Sequence, residues 1–73
     1  MKEMVLKNEN LGEMRKLTDI GYGIKVEGKK KLDTYYEENA YFEEIRHNST
    51  LDEIKNIYTN HGFKVISQHW ENG

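Results

Sequence analysis

The spacing of hydrophobic positions changes along the chain, and each change predicts an element. Tyr22, Ile24 and Val26 alternate with Gly23, Lys25 and Glu27, the period of a strand with one buried side. Gly28 followed by Lys29, Lys30 and Lys31 predicts a tight hairpin turn, because glycine reaches the positive φ such turns need. Residues 30–36 then return as a second strand. A turn at Glu37, Glu38, Asn39 and Ala40 leads into a third, over 41–46.

From Ser49 the period lengthens. Leu51, Ile54, Ile57, Tyr58 and His61 fall on one side of a helix, with Asp52, Lys55, Asn56, Thr59 and Asn60 on the other. Thr50 and Glu53 have the spacing of a capping box, and Asp52 and Glu53 suit the positive end of the helix dipole. Gly62 supplies a stop, and residues 63–70 read as a last strand.

Two stretches carry conflicting signals. Residues 33–47 contain good helix formers and compete as one helix. A helix there would put Asn39 and Glu43 where core residues should recur, and the paired aromatics favour strands. Residues 1–20 are poorly determined. Met4, Val5 and Leu6 suit a short strand or the start of a helix. Asn10 and Glu13 resemble a capping box, with Leu11, Met14 and Leu17 at helical spacing behind it.

The fold expected is one small α+β domain over residues 1–73: an antiparallel sheet, made of a three-stranded meander plus a C-terminal strand, with one main helix on one face. Residues 71–73 read as a tail. If the helix covers Tyr22, Ile24 and Val26, alternation gives the same face Leu32, Thr34, Tyr36, Tyr41, Ile45, Phe63 and Val65. Tyr35, Phe42, Ile66 and Trp70 are left on the other side. The first twenty residues could fold over them; otherwise they form an apolar surface of the kind that marks an interface.

Composition sharpens this picture. At 73 residues the core is thin, and with no cysteine neither a disulfide nor a thiolate zinc site can reinforce it. A partner or a second copy is the remaining common support. The hydrophobic share, 36%, is low and the charged share, 33%, is high, a balance that hints at disorder but is outweighed by the clear periodicity. No apolar run approaches the length of a membrane span, and the apolar stretch near Met1 is too short for a signal peptide. The expectation is a cytoplasmic protein with no membrane contact. Net charge is −2, unevenly spread: residues 1–31 hold eight Lys and Arg against five acids, residues 32–73 three against eight. The second half is therefore an acidic pole.

Candidate chemistry is sparse. His47, His61 and His69 match no metal-ligand spacing. Ser49 and Ser67 lack the context of a nucleophile, and the paired glutamates have little room for a pocket in so small a domain. No enzyme activity and no cofactor is expected. Lys25 with Lys29, Lys30 and Lys31 could follow a phosphate backbone, but the acidic balance argues against nucleic acid as partner.

What remains is a non-catalytic protein-interaction module. The expected partner-binding residues are Asp33, Tyr35, Glu37, Glu38, Phe42, Glu43, Glu44, Ile66 and Trp70, aromatic anchors rimmed by acids. They would dock on a basic protein surface or on a second copy of the chain as a homodimer. Richness in Lys, Asn, Glu and Ile has the look of an AT-rich bacterial or phage genome. A phage- or prophage-type inhibitor would use such carboxylates to occupy a host protein's phosphate site. A nucleic-acid-binding or regulatory protein using the hairpin of Lys25 and Lys29–Lys31, or a self-associating structural protein, is the alternative.

Overall fold

The computed structural model describes residues 2–32 and 35–70, with the side chains of 32, 35, 36 and 70 outside the described set. Six strands and one helix follow in the order β1 (Lys2–Asn8), β2 (Glu13–Asp19), β3 (Gly23–Leu32), β4 (Tyr35–Tyr36), β5 (Phe42–His47), α1 (Leu51–Thr59) and β6 (Lys64–Trp70). Every pairing is antiparallel. The sheet runs β4-β3-β2-β1-β6, with β5 beside β3. The α+β class holds, but the sheet is larger than three strands plus one.

The added strands come from residues 1–20. Met4, Leu6 and Asn8 are buried on β1, as are Arg15 and Leu17 on β2, so a period of two governs this segment. The helical spacing of Leu11, Met14 and Leu17 is incidental. Between the strands, Gly12 takes φ +65°, and Asn8 Oδ1 accepts a hydrogen bond from the Leu11 N–H at 3.1 Å. No helix starts at Asn10. The segment does not cover the second face either, because it forms two of the three interior strands.

The expected turn at Gly28 is also absent. Gly28 lies buried inside β3, which runs on through the three lysines to Leu32. A Cβ built on Gly28 would overlap the Phe42 ring on the neighbouring strand. The glycine serves by leaving room for a ring. With β3 ten residues long, one edge carries two partners in succession: Lys31 and Leu32 pair with β4, and Gly23 to Gly28 with β5. Residues 37–41 loop out between them, held by N–H···O bonds from Glu37 to Lys30 and from Tyr41 to Gly28, at 3.0 and 2.8 Å.

The helix forms as its sequence predicts. Thr50 and Glu53 complete the capping box in both directions, and Gly62 adopts φ +89° just beyond the last turn. Leu51 and Ile54 are buried against Met4, Leu6, Leu17, Ile24, Val26 and Phe63, with Phe42, Tyr58 and Val65 packed around them. Asn8 ties the β1–β2 turn to the helix end by donating from Nδ2 to the His61 carbonyl at 3.1 Å.

Sorting the residues onto two faces therefore succeeds in part. Ile24, Val26, Phe63 and Val65 do face the helix. Phe42 does so as well, not Ile45, because β5 is shifted by one residue from the expected alternation. Tyr22 lies in the bend before β3 and is 60% exposed, and Ile45 is 41% exposed. Among the described side chains, the open face carries many charges. Lys16 faces Glu3 and Lys25 faces Glu43, each at 3.9 Å, with Val5, Met14 and Thr18 among the residues between them. No helix is long and apolar enough to cross a membrane among the described residues.

Candidate functional site

Two regions combine chemistry with geometry. The first surrounds Arg15 on the helix-facing side of β2, where its alternation with Leu17 carries a guanidinium into the core; the residue is only 8% exposed. Its Cζ lies 4.9 Å from the ring centre of Phe42, 5.2 Å from Phe63, 5.5 Å from Tyr58 and 5.7 Å from Tyr41. Four aromatic rings around one cation give attraction that strengthens as water is excluded. Nη2 donates to Glu13 Oε2 at 3.1 Å, and Nη1 to the Met14 carbonyl at 3.1 Å. Tyr41 closes the chain by donating its hydroxyl to Glu13 Oε1 at 2.7 Å. Arg15 Nε is buried without a hydrogen-bond partner.

Burial opposes the charge on Arg15, but the oxygens of Tyr41, Tyr58 and Glu13 outweigh it and raise the guanidinium pKa. The hydrogen bond from Tyr41 holds the Glu13 carboxyl below the usual glutamate value; burial pushes the other way and Arg15 assists. Burial and the bond to Glu13 raise the Tyr41 phenol. The three groups form one coupled chain with both ions charged at neutral pH.

A cavity of about 330 Å³ opens beside this chain, lined by Glu13, Arg15, Arg46 and His61 and by apolar residues including Val26 and Ile54. A second, of about 640 Å³, is lined about equally by polar and apolar surface and lies by Tyr22, Asp19, Asn48, Thr50 and Lys55. Tyr22 stacks on His47 there, with centroids 5.8 Å apart.

The second region is the outer edge made by β4, the 37–41 loop and β5. Glu37 is half-buried, and Glu38, Glu43 and Glu44 are exposed. Glu43 reaches Lys25 at 3.9 Å and Glu44 reaches Arg46 at 3.6 Å, loose surface pairs of little worth. Glu37 and Glu38 make no ion pair among the described residues.

The expected partner-binding residues are only partly brought together. Asp33 lies outside the described residues, and Tyr35 is placed by its backbone alone, opposite Leu32. Glu37, Glu38, Glu43 and Glu44 share the β4–β5 edge. Phe42 belongs to that strand but points into the core, so it is no anchor on an outer surface. Ile66, 53% exposed, and Trp70 sit on β6, at the opposite edge of the sheet. The acids form a cluster; the aromatics form no single patch with them. The lysine run is divided too: Lys29 shares the face of Lys25, while Lys30 turns to the other and lies 4.9 Å from the Tyr41 ring centre.

Arg15, Glu13 and Tyr41 are the residues that sequence reasoning missed. The one signal for them was the alternation of Arg15 with Leu17, which an arginine on a buried face conceals. Among the described residues, no three His, Asp or Glu side chains are placed to hold a metal ion. The fold and site define a small α+β domain with an all-antiparallel sheet, one covering helix and an acidic edge. No family model matches the chain, and no curated protein or solved structure matches it either.

Proposed function

We propose that the chain is a small non-catalytic interaction module that presents its acidic β4–β5 edge to a basic, extended segment of a partner protein. The observation that supports this is the gathering of Glu37, Glu38, Glu43 and Glu44 along one sheet edge whose strand β5 pairs only with β3 among the described residues. A strand edge offers unpaired backbone groups to an incoming strand, which supplies affinity, while side chains on both faces supply selectivity. Glu43 lies on the open face and Glu44 on the helix-facing one. Consecutive lysines or arginines on an added strand would meet both, one on each face.

An inhibitor of a phosphate-binding host protein is one form this activity can take, since carboxylates in a row imitate the charge of a nucleic-acid backbone. The attraction falls as salt rises, because the screening length is about 10 Å at 0.1 M ionic strength.

The test is fluorescence anisotropy with a labelled peptide in which consecutive lysine pairs alternate with valine pairs, and a control with glutamate in place of lysine. Binding of the lysine peptide alone, weakened by salt and lost when Glu37, Glu38, Glu43 and Glu44 become glutamine, is the expected result. Equal binding by the quadruple variant, or none at low salt, would remove the proposal. A gel shift with single-stranded nucleic acid, abolished by neutralising Lys25 and Lys29–Lys31, would favour the alternative.

A further inference from the structure

We infer that the outer edge of β5 pairs with the same edge of a second copy of the chain, antiparallel and centred on Ile45. The backbone comes first. β5 is bonded to β3 on one side and to no strand on the other among the described residues. The Asn48 N–H donates to the Tyr22 carbonyl at 3.2 Å, and the Arg46 carbonyl crowds the Cβ position of Gly23 on β3. By alternation, the backbone groups of Glu44 and Arg46 turn toward β3, and those of Glu43, Ile45 and His47 turn outward. Such an edge is a template for another strand.

The side chains choose the occupant and the register. With Ile45 opposite its own counterpart, Glu44 stands opposite the second copy's Arg46, and Glu43 opposite the second copy's His47; two-fold symmetry repeats both contacts in reverse. On the helix-facing side, two carboxylates and two guanidiniums then alternate around a square. On the open face the two Ile45 side chains, each 41% exposed in a single copy, meet between two Glu–His contacts, where the imidazole donates a ring N–H. Glu43, Ile45 and His47 each exchange both backbone bonds with the residue opposite.

Neighbouring registers fail on charge. Moving the centre to Glu44 sets that carboxylate against its own copy, and moving it to Arg46 does the same with two guanidiniums; like charges directly opposite destabilise a strand pair. Within one copy these groups are held only loosely, Glu44 to Arg46 at 3.6 Å and Glu43 to Lys25 at 3.9 Å, and all five residues from Glu43 to His47 are exposed. The pairing requires only that the edge be open and self-complementary, so it does not rest on the reading proposed above. It occupies the same strand, however, and a second copy would compete with a basic segment for it.

Sedimentation equilibrium of the full chain from micromolar to millimolar concentration tests the pairing. Reversible dimerisation is expected. Glu44→Arg and Arg46→Glu, both at exposed positions and checked for fold by circular dichroism, each set like charges across both contacts and should weaken association at least about tenfold. Mixing the two variants should restore it, because every contact in the mixed pair is again opposite in sign. Hydrogen exchange reads the register: the amides of Glu43, Ile45 and His47 should gain protection as concentration rises, while those of Glu44 and Arg46 stay unchanged. A monomer at millimolar concentration, association unaffected by both single variants, or a mixture as monomeric as its components would overturn the inference. This assay needs no peptide, and the peptide assay runs at dilute protein, so either reading can fail without the other.

Discussion

Replacing Gly28 by alanine tests how the cage is held together. The substitution is small, and the strand conformation of Gly28 suits alanine, which on backbone entropy alone should stabilise by about 0.4–1 kcal/mol. The structure predicts the opposite sign. The new methyl would occupy the space of the Phe42 ring, and that ring packs at 4.9 Å on Arg15 and edge-on to Tyr41, with centroids 5.0 Å apart. Forcing a methyl into a packed site costs about 1–3 kcal/mol, and displacing the ring loses a cation–π contact of about 0.5–1 kcal/mol. The balance is a destabilisation of about 1–3 kcal/mol. Total stability for 73 residues is on the order of 4–11 kcal/mol, so the loss is large. Urea denaturation followed by circular dichroism measures it, with Tm falling roughly 4–8 °C per kcal/mol. The double variant Gly28→Ala with Phe42→Ala decides the cause. With the ring gone the methyl has room, so the double should be less destabilised than the sum of the singles by about 1 kcal/mol or more. Additive costs, or a Gly28→Ala protein as stable as the parent, would refute the reasoning.

Arg15→Met leaves the Glu13 carboxylate half-enclosed without its cation and should cost about 3 kcal/mol, whereas adding Glu13→Gln should recover most of that loss; a double-mutant cycle in urea reads the coupling. Thr50→Ala removes the capping box and should cost about 1 kcal/mol, measured the same way. The pH dependence follows from the directions of the shifts. Glu13 is depressed on folding, so its contribution is present above the ordinary value of about 4.5 and is lost as pH falls through the folded-state value. Tyr41 is raised, so its contribution holds below about 10 and is lost as pH climbs through the folded-state value. In Tyr41→Phe, NMR titration should find the Glu13 pKa moved up toward the ordinary range and the acid limb of stability less steep; an unmoved Glu13 would show that the phenol does not set it.

The legible parts of the fold were those where one local rule acted alone. The helix declared itself because cap, amphipathic spacing and terminal glycine agree over Thr50–Gly62, and β3 because Ile24 and Val26 alternate cleanly. Reading failed where a residue's role depends on a distant neighbour. Gly28 has the look of a turn until Phe42 is set across from it. Arg15 has the look of a surface residue until four rings, drawn from the 37–41 loop, β5, α1 and the turn before β6, converge on it. The acidic edge was legible as composition, since Glu37, Glu38, Glu43 and Glu44 are close in sequence. The aromatic set was not: Ile66 and Trp70 belong to the far edge, and only the pairing of β6 with β1 reveals that.

That pairing also dictates an order of assembly. β1, β2, β3 and β5 zip to neighbours a short way along the chain, whereas Met4 must find Gln68 across nearly the whole polypeptide, the slow kind of contact. The helix and β6 should therefore dock last and detach first, as one lid-like unit. Hydrogen exchange would register this as amides of β6 and α1 opening together while β2 and β3 stay protected.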